Sequence, residues 1–300
     1  MMQLKALVLV LLGLLFSREA LKAQDDLMNL FEEESEGIKY SSAAFKSSRV
    51  ILGQSIENPS PGNLVFLIQH QFGNLNGGAN ELWGLDQAVI RLGFDYGVNE
   101  WLALGIGRSS YNKTFDTYAK VKLLRQSSGS RNMPVSLSLF SGAYLNSSTW
   151  EDPARENYFS SRMSYAHQLL IARKFNSNLT LQVSPTLIHR NLVATSVEDH
   201  DVLAISGGGR MKFNKWMSFN AEYFYLLSSY TAENFNNTLS LGIDMETGGH
   251  VFQIYVSNGR GMQEPYFVAE NRGEWGNGDV FLAFNIHRTF VIRKPKTFRE

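Results

Sequence analysis

The sequence predicts an all-β protein: a closed, antiparallel, up-and-down transmembrane β-barrel of about twelve strands. Three observations predict it. Hydrophobic residues recur with a period of two along most of the chain, short and long polar connections alternate between these runs, and no stretch after the N-terminus approaches the roughly 18 consecutive apolar residues of a spanning helix. In the run 87–97 the even positions are Ala88, Ile90, Leu92, Phe94 and Tyr96, while the odd ones, Val89 apart, are Gln87, Arg91, Gly93, Asp95 and Gly97. Side chains alternate across a strand, so this run has one oily face and one polar face.

Composition agrees with this class. The 300 residues suit a single barrel unit and show no compositional break. Charged residues make up 19% of the chain, below the roughly 25% of soluble proteins, and aromatic residues 12%. The formal net charge is zero, which removes a bulk electrostatic case for nucleic acid. The absence of cysteine excludes disulfides, thiolate nucleophiles, Cys-bound metals and a lipoprotein anchor.

Taken in order, Lys5, the apolar run 6–16 and the small residues Ala20 and Ala23 read as a signal peptide over residues 1–23, with cleavage after Ala20 as the alternative. Residues 24–62 read as a periplasmic N-terminal extension or plug. Their acidic part, 25–36, spaces Leu27, Leu30 and Phe31 for a short helix that is either solvated or docks a periplasmic partner. Further on, Phe45, Val50, Ile51, Leu52 and Ile56 lie among polar residues without a clean period. That pattern leaves open whether the segment plugs the barrel, lies beneath it or adds a strand.

The barrel is expected over 63–292, with strands at 63–72, 87–97, 101–109, 116–126, 133–144, 159–175, 179–192, 202–213, 217–227, 237–246, 250–257 and 279–292. A tail, 293–300, follows. Tight turns at 98–100, 176–178, 214–216 and 247–249, with a slightly longer one at 126–132, alternate with long segments at 73–86, 145–158, 193–201, 228–236 and 258–278. Such asymmetry matches the periplasmic and extracellular ends of a bacterial outer-membrane barrel, and an even strand count leaves both termini periplasmic. The implied surroundings are the lipid bilayer and the outer-membrane assembly machinery.

The oily face is expected to point outward. Most runs have the 9 to 11 residues that cross a bilayer when tilted, and no amphipathic helix is available to cover a second oily surface. The polar face is rich in small residues such as Gly105, Gly107, Ser138 and Gly242, whereas a solvated outer surface would carry more Lys and Glu. Tyr96, Phe175, Phe213 and Phe290, with Trp216 in a turn, mark a membrane-interface girdle at the short-turn end.

The same parity assigns Arg91, Lys120, Lys122, Glu222, Asn285 and His287 to the lumen as constriction candidates for small polar solutes. Arg210 and Lys212, near the short-turn end, are placed to pair with Asp244 and Glu246 in a structural network. No catalytic residue, metal site or cofactor is assigned. Barrel lipases hold a Ser beside a His on the lipid-facing wall, but His70, His167, His189 and His287 are followed two positions on by Phe72, Leu169, Asn191 and Thr289. Glu198, Asp199, His200 and Asp201 read as an exposed polar loop and lack the order of a calcium loop.

Two stretches, "FKSSRVILGQSIEN" at 45–58 and "GLDQAVIRLGFDYGVNEWLALGIGRSSYNKTFD" at 84–116, resemble a Bacteroidota family of outer-membrane β-barrels of unknown function, domain of unknown function family 5777. The resemblance covers most of 45–290 and is most specific at "GIGRSSYNKTFD". It implies the same fold and place, and it brings no settled activity and no catalytic residues. The leading expectation is a narrow passive channel or solute-uptake barrel and not an enzyme. The alternatives are a non-conducting barrel anchoring an envelope complex and a lipid-modifying enzyme.

Overall fold

The computed structural model describes residues 37–150, 152–154, 156–227 and 235–293. The expected signal peptide, the acidic segment 25–36 and the tail beyond residue 293 lie outside the described residues. Among the described residues there are fourteen strands: β1 (Ile38–Tyr40), β2 (Asn63–Asn74), β3 (Ala88–Gly97), β4 (Leu102–Ser109), β5 (Phe115–Leu124), β6 (Ser127–Gly129), β7 (Ser136–Leu145), β8 (Met163–Lys174), β9 (Leu179–Arg190), β10 (Asp201–Lys212), β11 (Met217–Leu226), β12 (Thr238–Thr247), β13 (His250–Ser257) and β14 (Phe281–Val291). All but β1 and β6 form one closed barrel of twelve strands, each antiparallel to its neighbours, with β14 pairing back onto β2. Lipid cannot satisfy a free strand edge, and closure removes it.

The expected strands are all found, and their ends differ for local reasons. β7 starts at Ser136 rather than Met133, because Pro134 has no N–H to donate and Met133 pairs instead with Ser127 across the turn. β8 starts at Met163, since Phe159–Arg162 form a 3-10 turn. Three short turns share one device: the Oδ1 of Asn99, Asn176 or Asn214 accepts from the backbone N–H groups two and three residues on, at 2.8–3.0 Å. The β12–β13 turn uses Gly249 at φ +105°, a backbone that tight hairpins need and that glycine adopts without strain.

The wall is mostly apolar outside, and inside it carries many polar groups beside an apolar patch that includes Tyr118, Phe140, Leu170 and Phe224. Ile90, Leu92, Phe94, Leu104, Ile106, Leu203, Ile243 and Ile254 are exposed on the outer face, while Gln69, Arg91, Asp95, Lys120, Ser138, Gln182, Asn220 and Asn285 are buried within. Phe175, Phe213, Trp216 and Phe290 are exposed, and Tyr96 is half-buried, along the short-turn rim. Inward glycines make room for large neighbours: a Cβ on Gly105 would lie 2.1 Å from the Tyr118 ring, and one on Gly107 2.4 Å from the Arg91 guanidinium.

At the short-turn end β1 pairs with β6, so the chain arriving from the N-terminus is fastened to the β5–β7 connection. It then enters the barrel, reverses, and leaves at the same end, where the Gly62 N–H donates to the Gly97 carbonyl just before β2.

Candidate functional site

The lumen is filled from both ends. Residues 45–58 form a hairpin-like reversal in which Arg49 bridges Gln54, the Val50 N–H donates to the Gly53 carbonyl at 2.9 Å, and Ile51 and Leu52 form the tip. Phe45, Val50, Ile51, Leu52 and Ile56 are buried to 3% exposure or less, against wall residues that include Tyr118, Phe140 and Phe224. The lack of a sequence period here has a simple cause: the segment is surrounded on all sides and has no single oily face. Gly53 is required by close approach, because a Cβ there would lie 2.4 Å from Glu222 Oε1 and 2.7 Å from the Phe224 ring. Gly208 on β10 gives the same kind of clearance, its added Cβ falling 3.3 Å from Val50.

Side chains of the wall hold the main chain of this hairpin. Glu222 on β11 accepts from the N–H groups of Leu52 and Gly53, both at 3.0 Å. Lys120 Nζ on β5 donates to the carbonyls of Ser48, Ser55 and Glu57 at 3.3, 3.0 and 2.7 Å. Gln253 donates to Val50 O at 2.8 Å and Asn285 to Ile51 O at 3.1 Å. Gln182 donates to Gln54 O at 2.7 Å and accepts from the Ile56 N–H at 2.8 Å. Every buried main-chain group needs a partner, and here side chains supply what a strand ladder supplies elsewhere.

From the long-loop end the β13–β14 connection folds inward, with Met262, Phe267, Val268 and Ala269 buried and Pro265–Ala269 forming a π-helical turn. Gln71 clamps it, donating to Gly259 O at 2.7 Å and accepting from the Gly261 N–H at 2.9 Å. Burial pushes the Tyr266 hydroxyl up to about 12, even though it hydrogen-bonds Thr114 at 2.6 Å. Hairpin and loop meet at Glu264, which accepts from Arg49 at 2.9 Å, Gln54 at 3.0 Å and Tyr144 at 2.6 Å. Beside this junction Arg91 grips Asp116 through two hydrogen bonds, and Ser48 donates to Asp95 at 2.6 Å. The buried cations Arg49, Arg91 and Lys120 thus stand among the buried acids Asp95, Asp116 and Glu264.

Open space remains on either side. A vestibule of about 530 Å³ at the long-loop end is lined by Arg190, Arg260, Arg272, Glu198, Glu270 and Phe235 among others. Burial raises the Glu270 carboxyl above its ordinary range, opposed by Arg190 at 3.5 Å. Cavities of about 260 and 380 Å³ flank the hairpin at the short-turn end, the first lined by Glu246, His250 and His287, the second by Glu57, Glu100 and Lys122.

The constriction candidates are therefore divided. Lys120, Glu222 and Asn285 converge on the hairpin, Arg91 is locked to Asp116, half-buried Lys122 faces a cavity, and neither ring nitrogen of buried His287 has a partner among the described residues. Of the expected charge network, Arg210 donates to Ser218 at 3.0 Å and to the carbonyls of Ala43 and Ala44, Asp244 accepts from Gln253 at 2.6 Å, Glu246 pairs with Lys46 of the N-terminal segment, and Lys212 is half-buried. Sequence reasoning did not single out Arg49, Glu264, Gln182 or Gln253. The two glutamines were open to the parity argument; Arg49 and Glu264 sit outside the strands, where parity says nothing.

No curated protein matches the chain. Among solved structures it is similar to the NanC porin, at 9% identity over 76% of this chain and 98% of that one with a TM-score of 0.48, and to the KdgM porin, at 11% identity over 76% and 99% with a TM-score of 0.46. It is also similar to an active-site mutant of outer membrane phospholipase A from Escherichia coli, at 12% identity over 77% and 91% with a TM-score of 0.40. These likenesses carry no argument about solute or reaction. The profile described as "Membrane bound beta barrel domain (DUF5777)" matches residues 45–290, hairpin and barrel together, and the chain belongs to that family.

Proposed function

We propose that this protein is a porin-like outer-membrane barrel, closed at rest, that passes small polar solutes when its N-terminal hairpin withdraws toward the periplasm. The observation that carries this reading is how the hairpin docks. It forms no strand ladder with the wall, and its main-chain groups are held by single side chains of β5, β9, β11, β13 and β14, so it can leave without opening the barrel. Water can take over each of those hydrogen bonds. In this reading both termini are periplasmic, and the narrow passive channel expected from the polar lumen becomes one gated by its own N-terminus.

The test is electrical. In planar bilayers the full chain is expected to be nearly silent, and a variant lacking residues 45–58 to show discrete conductance whose ion preference changes with Lys120→Glu or Glu222→Lys. A folded but silent deletion variant overturns the gate.

The apolar packing of the hairpin against Tyr118, Phe140 and Phe224 favours a second reading, a permanently filled barrel that anchors an envelope complex. Capture of a specific periplasmic protein by crosslinkers at Glu32 or Glu33, with every variant silent, selects it.

A further inference from the structure

On the outer wall, away from the lumen, the strand register joins two residues that lie far apart in the sequence. Ser141 on β7 is the cross-strand partner of His167 on β8, both are exposed on the lipid-facing side, and Ser141 Oγ lies 3.0 Å from His167 Nδ1. Spacing along one strand cannot reveal such a pair, because its members lie on neighbouring strands. An ionisable side chain facing lipid is costly, and where one occurs with a partner it marks a functional site by default.

The depth of the pair suggests its ligand. On the outward row of β8, Tyr165 near the long-loop end and Phe175 just past the short-turn end are ten residues apart, about 25 Å for a tilted strand, the height of a barrel's apolar band. His167 sits two residues inside Tyr165, hence about 5 Å below the headgroup level that interfacial aromatic rings mark, within reach of the acyl esters beneath it. The neighbours admit an ester: Ala119, opposite Ser141 on β5, and Ala143, next on the same face of β7, are small and leave space beside the pair. Polar groups continue toward water, for Tyr165 stacks on His189 at 6.2 Å and His189 hydrogen-bonds Asp201 at 2.7 Å.

We propose that Ser141 and His167 form a lipid-facing nucleophile–base pair that transfers acyl groups from membrane lipid esters. Ser141 Oγ attacks the ester carbonyl carbon while His167 takes the hydroxyl proton; the carbon–oxygen bond to the lipid alcohol then breaks, and the leaving alkoxide takes that proton. Water, deprotonated by His167, attacks the acyl-serine, releasing the fatty acid and returning the proton to Ser141.

The experiment uses the full chain reconstituted in phosphatidylethanolamine–phosphatidylglycerol vesicles. A long-chain fluorophosphonate is expected to label Ser141, located by mass spectrometry, and fatty acid to be released. Ser141→Ala should abolish both, and His167→Ala should slow both by at least about 100-fold. Both side chains face lipid, so the variants keep the heat-dependent gel mobility of a folded barrel. Absence of labelling, absence of fatty acid release, or rates indifferent to His167→Ala each overturns the proposal. The conductance of the hairpin-deleted variant is expected to be unchanged by Ser141→Ala, so this inference and the gate stand or fall separately.

Discussion

Arg91 shows what the interior demands of a single residue. Its guanidinium holds Asp116 through two hydrogen bonds and donates to Gln69 at 2.9 Å, and Gly93 and Gly107 leave the space in which it lies. A bidentate fork of this kind is specific to arginine. Removing one partner strands the other as a buried charge, so Arg91→Met is expected to cost about 3–5 kcal/mol in urea unfolding from micelles, and Arg91→Met with Asp116→Leu to recover most of it. Gly53→Ala is expected to lower the melting temperature by forcing Glu222 or Phe224 aside, an overpacking cost of about 1–3 kcal/mol. Parity alone placed Arg91 and Glu222 inside the barrel. What they bind was not legible, because Arg91 meets an acid from two strands away and Glu222 meets main-chain N–H groups, which have no side-chain signature.

At the scale of elements, the hairpin and the inward loop depend on each other through Glu264. Its two oxygens serve three donors from two directions, so neither element has a complete set of partners without the other. Glu264→Gln is expected to loosen both, and limited trypsin digestion in vesicles should then cut after Arg49, which the unaltered protein protects; equal protection in both would show that the hairpin seats independently. The strands were legible because a period of two persists for ten residues at a time and because Asn or Gly marks the tight turns. The hairpin was not, since a segment enclosed on every side needs no period, and the Ser141–His167 contact depends on a register that sequence spacing does not carry.

For the whole molecule, exposure no longer implies tolerance. Ile106 is 60% exposed on the apolar wall and Val197 77% exposed in a long-end loop. Ile106→Arg is expected to destabilise the reconstituted barrel by about 2–4 kcal/mol, as charges facing the middle of a bilayer do. Val197→Arg should change stability by less than about 0.5 kcal/mol. Equal effects in vesicles would contradict the assignment of the belt to lipid.

The two legs of the hairpin pass the same rim: the incoming leg is fastened where β1 pairs with β6, and the outgoing leg runs into β2 beside Gly97. The hairpin is therefore a bight of chain, not a threaded end. In the proposed gating it slides out and back while the seam between β14 and β2 stays zipped, with both fastened legs at one rim. On that proposal the excursion is bounded by the slack between the two fastenings, so a cycle of withdrawal and return begins and ends on the same path.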